Sequence, residues 1–394
     1  MIRLKKLIGV IHLWLGMIPG ILVFIIAITG CIYAFQYEIQ ELTQSYRFVN
    51  EQEKPFLLPS QIIEIAEKTL PDKHVHAVMY AGPERAAKAI FFSFEEHYYD
   101  FVYINPYTGE VLKVKDEYQD FFRIILDGHF YLWLPPDIGQ PLSAGATLVF
   151  MIMVISGLIL WWPASKKGLK QRFTIKWNVR WRRKNYDLHN VLGFYVSWMA
   201  ILFAITGLVW GFTWFRDGVY KIVSGGGTFY EYQDPPSRNI VKENLQEEEM
   251  EAIDLVWYKM VKEYPEAGWI EIHPAETAES SIAANANPDV KTYWKTDYRY
   301  FDQYTLEELE VNHIWGRVDQ ASSADMLFRM NYDIHVGGIL GLPGKLLAFF
   351  GSLIVASMPI TGFLIWWGRR NKPQYNSRNI HTTRRDREIR NVGL

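Results

Sequence analysis

A single cysteine, Cys31, stands among 394 residues, which excludes an intramolecular disulfide and any CxxC redox or metal site. There is no GxxxxGK[ST] phosphate loop, no GxGxxG fingerprint after a strand and no GxSxG nucleophile elbow. If electrons or energy come from a nucleotide, another protein handles it. A formal net charge of -2 gives no basis for a nucleic-acid partner. What the chain has in excess is apolar sequence, and it is gathered rather than spread.

Four stretches, about 7 to 36, 142 to 163, 188 to 214 and 343 to 367, are apolar enough to cross a bilayer, which takes about 20 residues of helix. Their apolar cores carry no Asp, Glu, Lys or Arg to serve a coupling ion. Residues 164 to 185 hold nine Lys and Arg and no acid, and the tail after Trp367 holds eight bases against two acids. Short basic segments stay in the cytoplasm. Residues 216 to 320 instead hold 21 acids against 10 bases. The expected protein therefore spans a membrane four times, with both termini inside. Its order is a first helix (1–36), an outside domain (37–118), an amphipathic and second helix (119–163), a basic loop (164–185) and a third helix (186–215). A second outside domain (216–320), an amphipathic and fourth helix (321–367) and a basic tail (368–394) complete it.

The chain repeats itself. His12 to Gly30 and His189 to Gly207 are both 18 residues apart in matching apolar runs. Phe-Arg-x3-Asp-x-His recurs at Phe122, Arg123, Asp127, His129 and at Phe328, Arg329, Asp333, His335, and both following spans end Trp-Trp. Between spans, "VYINPYTGEVLKV" (102 to 114) is echoed by "RYFDQYTLEELEV" (299 to 311). Each reads as a strand, turn and strand, preceded by an amphipathic helix at 59 to 71 and 249 to 265. The second turn lacks the Gly and Pro of the first. The fold class is thus an α-helical membrane protein of four transmembrane helices from a tandem duplication, with two extracytoplasmic α+β domains.

A helix followed by strands with "INPYTGEV" resembles a PepSY domain, and paired PepSY-like domains between His-bearing helices resemble the PepSY-associated transmembrane family. The resemblance covers nearly the whole chain, through the Asp-x-His helix starts, the Thr-Gly positions and the closing Trp-Trp. It implies an iron-regulated inner-membrane protein or ferric-siderophore reductase with two haems in the membrane. The flavodoxin-like or flavin reductase domains fused to some relatives are missing here.

Histidine in or bordering a span is costly unless paired or ligating, and here one recurs at matched places in four segments. The duplication implies a pseudo-two-fold axis along the membrane normal, across which equivalent residues face each other. His12 with His189 near the inner face and His129 with His335 near the outer face would then make two bis-His sites, each suited to a b-type haem. A haem bridging the first two spans would use two of the same histidines. Arg123 and Arg329 are candidates for haem carboxylates or for lipid phosphate. Asp127, Asp187 and Asp333, each two residues before a His, would cap helices or orient an imidazole. His74, His76, His97, His273 and His313 fall in the outside domains, as solvated residues or a metal site. The tryptophans form an aromatic belt, with one free to pack on a porphyrin.

Ile28-Thr29-Gly30-Cys31 imitates a lipoprotein cleavage site, but Ile205-Thr206-Gly207, Ile360-Thr361-Gly362 and Ile155-Ser156-Gly157 repeat it without Cys, so it belongs to the spans. Eighteen residues are five helical turns, placing Gly30 on the helix face of His12, and Gly207 on that of His189, at the other membrane surface. Gly30 with Gly207, and Gly157 with Gly362, would leave room for the haem ligated by the other helices, or serve plain helix packing. The leading expectation is a transmembrane di-haem oxidoreductase. Its donor would be quinol or a cytoplasmic flavoprotein, and its acceptor ferric siderophore iron or another extracytoplasmic molecule. The rivals are a membrane-anchored PepSY binding or regulatory module and a chelate permease, for which four spans make a small bundle.

Overall fold

The computed structural model describes residues 2–163, 169–237 and 250–371. Among the described residues three helices are long and apolar enough to cross a membrane: α6 (Pro136–Trp161), α7 (Trp181–Gly211) and α12 (Gly341–Arg370). A bent pair, α1 (Ile2–Met17) and α2 (Gly20–Tyr33), makes a fourth span if counted as one. Large apolar side chains such as Leu7, Ile155, Leu353 and Phe363 point outward, as a lipid-facing bundle requires. α7 is the most enclosed, with 44% of its apolar window buried against 22% for α6.

The first span differs from the expected straight helix. α1 and α2 meet at 60°, because Pro19 has no N–H and its ring clashes with the preceding turn. The bend is packed in place: a side chain at Gly20 would come within 3.2 Å of the Pro359 ring on α12. The five-turn count that put Gly30 on the helix face of His12 therefore fails, since the two residues lie on different helices. It stands for His189 and Gly207, both on the unbroken α7.

Beyond the bundle, α3 (Gln36–Thr43) and α4 (Pro59–Thr69) lead into β1 (Val75–Tyr80), β2 (Ala87–Ser93), β3 (Tyr98–Ile104) and β4 (Val111–Asp116). The short α5 (Phe121–Tyr131) then carries the chain to α6. The second half follows with α8 (Thr213–Val223), α9 (Ala252–Glu263), β5 (Trp269–His273), β6 (Ile282–Asn287), β7 (Asp297–Phe301) and β8 (Glu308–Leu309). There α10 (Ser323–Arg329) and α11 (Asn331–His335) together replace α5. The expected basic loop is described only from 169, and α7 already begins within it. The acid run at 246 to 251 and the tail beyond 371 lie mostly outside the described residues.

The two α+β units do not stand apart as two domains. Their strands form one eight-stranded antiparallel sheet ordered β4-β3-β2-β1-β5-β6-β7-β8. The first strand of each unit pairs with the other, Val78 opposite Ile272 and Tyr80 opposite Ile270. α4 and α9 pack on one face, where Ile62 and Ala66 share a core with Val256, Trp257 and Met260. Asp254, 2% exposed, accepts hydrogen bonds from the Ser60 amide (3.0 Å) and hydroxyl (2.6 Å), clamping one unit to the other.

The second hairpin keeps the turn of the first despite its different residues. Asn105 and Asp302 each accept the amide two residues on, and Leu306 (φ 56°) occupies the left-handed conformation that Gly109 (φ 76°) holds. Such a conformation costs a residue with a Cβ about 1 kcal/mol. Leu306 recovers part of it by packing on the shared core.

Candidate cofactor site

Each of the four histidines is seated in the same way, against the hydroxyl that precedes a glycine on a neighbouring helix. His12 Nδ1 lies 2.9 Å from Ser156 Oγ, His129 Nδ1 3.3 Å from Thr29 Oγ1, His189 Nδ1 2.8 Å from Thr361 Oγ1 and His335 Nδ1 2.7 Å from Thr206 Oγ1. A hydroxyl has one proton, and each of these protons is directed at a backbone carbonyl of its own helix. Thr29 donates to Ile25 (2.8 Å), Ser156 to Met153 (3.0 Å), Thr206 to Leu202 (2.7 Å) and Thr361 to Ser357 (2.9 Å). With the hydroxyl protons so placed, the imidazole is the donor and carries its proton on Nδ1. His129 confirms the sense, since Nδ1 also lies 2.9 Å from the Ile26 carbonyl, which only accepts. All four Nε2 atoms are left with a free lone pair, the state a metal-binding imidazole needs.

The glycine after each hydroxyl makes room for the ring. A Cβ at Gly30 would stand 3.1 Å from His129 Cε1, at Gly157 3.3 Å from His12 Cε1, at Gly207 3.6 Å from His335 Cε1 and at Gly362 3.4 Å from His189 Cε1. The four candidate glycines thus sit beside the four candidate histidines, Gly30 and Gly207 with the sheet-end pair, Gly157 and Gly362 with the pair at the basic end.

At the sheet end, His129 on α5 and His335 on α11 face each other with ring centroids 6.0 Å apart and planes inclined by 72°. Two metal–nitrogen bonds of about 2 Å plus the two half-rings need about 6 Å, which is the separation of these two rings. Both rings, with Gly30, Gly207, Ala204 and Val355, line an apolar cavity of ≈ 370 Å³, toward the lower end of the range for small-molecule and cofactor sites. Trp210 packs edge-on to His335 at 5.5 Å. At the basic end, His12 on α1 and His189 on α7 lie within electrostatic reach of each other, with the Met153 carbonyl beside the first ring and the Met358 carbonyl beside the second.

Other candidates fall elsewhere. Arg329, 8% exposed, donates to the carbonyls of Trp294 (3.3 Å), Ile314 (2.9 Å), Gly316 (3.0 Å) and Thr296. With four of its five N–H groups spent on backbone, it clamps the β7 region, and it is not among the residues lining this cavity. Burial pulls its guanidinium down from the usual range, with Tyr298, Asp297 and Asp325 partly offsetting. Arg123 pairs with Asp127 at 3.1 Å and is not among the lining residues of the cavity. The aspartates neither cap helices nor touch the imidazoles. Asp187 pairs with Arg183 at 2.9 Å, and Asp333 accepts the Tyr293 and Trp294 amides. Among the described residues no group of three His, Cys, Asp or Glu could hold a metal ion, although His76 and His273 approach to 4.9 Å.

Two features escaped the sequence reading. The first is the Ser/Thr hydroxyl, visible in hindsight because all four glycines follow one. The second is an Asn four residues before each histidine of the second unit. Asn185 donates to the Thr361 carbonyl (3.0 Å) and Asn331 to the Thr206 carbonyl (3.1 Å). The threonine holding His189 or His335 is thus bound at both its hydroxyl and its backbone, whereas Ile8 and Ile125 occupy the matching positions in the first unit.

The family model described as the PepSY-associated TM region matches residues 10–369. No curated protein matches the chain.

Proposed function

The chain belongs to the PepSY-associated transmembrane family, and from that premise we propose that it is a membrane oxidoreductase carrying electrons across the bilayer. In this reading His129 and His335 hold one b-type haem and His12 and His189 a second. The observation that carries it is the quartet of Nδ1-protonated imidazoles, one pair of which faces across 6.0 Å in an apolar cavity. A bis-His haem supplies one-electron transfer without loss of ligands. The chain's own residues do the rest. The hydroxyls of Thr29, Ser156, Thr206 and Thr361 fix each tautomer and raise the basicity of each ligand. The glycines admit the rings, and the apolar walls exclude water from the site.

With the basic loop and tail in the cytoplasm of a bacterial inner membrane, electrons enter at the His12–His189 end from quinol or a cytoplasmic flavoprotein. They leave on the sheet side to an extracytoplasmic acceptor, of which the ferric iron of a siderophore is the leading candidate. Reduction would free the metal, because ferrous iron binds hard oxygen ligands more weakly. The absorption spectrum of the purified protein tests this. A sharp reduced α band from two haems per chain, lost in part in His12→Ala and in His335→Ala, is the expected result. A colourless protein from haem-replete cells would refute it.

A further inference from the structure

A second cavity, of ≈ 290 Å³, lies against the first on the sheet side, and Trp210 and Tyr332 line both. Its walls are aromatic, with Phe229, Tyr293, Tyr298 and Trp315 among them, and two guanidinium groups complete it. Arg216 lies over the Phe229 ring at 4.3 Å and Arg329 over Tyr298 at 5.3 Å. The two cations differ in their partners. Arg216 is neutralised by Glu231 (2.6 Å) and Asp217 (2.9 Å). Arg329 is nine-tenths buried and has no carboxylate within ion-pair distance among the described residues; carbonyls alone receive its protons, and one N–H is left over. A buried cation with no directly paired anion is costly, Asp297 and Asp325 acting on it only from a distance, and this one borders an accessible space with ring faces around it.

We infer that this second cavity binds a small aromatic anion, a ring bearing carboxylate or phenolate oxygens of the salicylate or catecholate class, resting against the Trp210–Tyr332 partition. The ring stacks on the aromatic walls, and the oxygens balance Arg329. The volume lies at the foot of the range for small-molecule sites, so it takes one or two rings rather than a whole hexadentate chelate. In the electron-transfer reading this is where an aromatic arm of the acceptor's chelator lies. That role rests on the proposed function; the ligand class rests on the cavity alone.

Equilibrium dialysis of radiolabelled salicylate against the full chain in detergent micelles tests it. The expected result is one saturable site per chain, displaced by 2,3-dihydroxybenzoate and not by cyclohexanecarboxylate. Because Arg329 also holds the fold together, the informative variant is Thr213→Trp. Thr213 is an exposed residue at the cavity wall, and an indole there fills the space, weakening binding about tenfold or more. Absence of saturable binding, equal displacement by cyclohexanecarboxylate, or unchanged affinity in Thr213→Trp would overturn the inference. The same sample separates the two readings. A colourless protein that binds salicylate leaves the site standing and removes the haems, and a haem-loaded protein without binding does the reverse.

Discussion

Replacing Thr206 by Val exchanges a hydroxyl for a methyl of nearly the same volume beside His335. His335 Nδ1–H then loses its acceptor at 2.7 Å, and a buried donor left unsatisfied costs about 1–3 kcal/mol. Part of that is structural, and part reaches the ligand, because an imidazole without a partner on Nδ1 is a weaker base at Nε2. Loss of such a supporting bond lowers metal affinity about 10- to 100-fold. The ferric form depends more on a basic ligand than the ferrous form. If the ferric state alone lost about tenfold, a one-electron potential would rise by about 60 mV. On the proposed di-haem reading, spectroelectrochemical titration of the α band, with the two components resolved, reads this directly. Thr206→Val should raise the potential of one component, and Thr361→Val, which strips His189 of its acceptor at 2.8 Å, should raise the other. A shift of both components in either variant, or of neither in both, would refute the assignment of each hydroxyl to its own site.

Gly30→Leu with Gly207→Leu fills the cavity between His129 and His335, and the absorption spectrum should lose the sheet-end haem while keeping the other; equal loss of both contradicts the pairing. Asp254→Ala leaves the half-buried Ser60 amide and hydroxyl without their acceptor. Urea unfolding should show the eight-stranded sheet destabilised by about 2–3 kcal/mol, and an unchanged midpoint would mean that the two units do not depend on this clamp. His313 is buried among Tyr232, Tyr300 and Trp315. Its Nε2–H donates to the Gln233 carbonyl, and Nδ1 has no partner. Burial holds its pKa below 6.5, against the opposing pull of the Gln233 carbonyl and Asp234. The unfolded chain therefore takes up the proton first, so the stabilisation is complete above about pH 6.5 and falls as pH drops through the lowered folded value. His313→Leu should flatten the decline in melting temperature between about pH 7 and pH 5 relative to the wild type; parallel curves would show that another group is responsible.

The apolar runs, the duplication and the recurrence of His with Gly were legible because each is periodic or repeated, and the bundle follows from them. Three things were not. The bend at Pro19 was hidden by hydropathy, which does not register a missing N–H. The joining of β1 to β5 is a backbone contact between strands some 190 residues apart, and neither strand's side-chain pattern names its edge partner. Arg123 and Arg329 looked equivalent by position, yet one pairs with Asp127 while the other is consumed by carbonyls around β7. The Ile-Thr-Gly motif drew attention to its glycine, although the hydroxyl beside it is what fixes the imidazole.

The pairing of β1 with β5 carries a consequence for what one unit could do alone. A strand that meets its own counterpart antiparallel across a two-fold is an isologous contact, the kind that joins identical subunits. One unit alone contributes a single histidine to each end, His12 and His129, or His189 and His335, so a lone copy holds only half of either centre. A single such unit could bring two histidines to either end only by pairing edge to edge with a second copy through its first strand. Because both units lie on one chain they need not be identical, and the asparagines at 185 and 331, which only the second unit has, are such a difference.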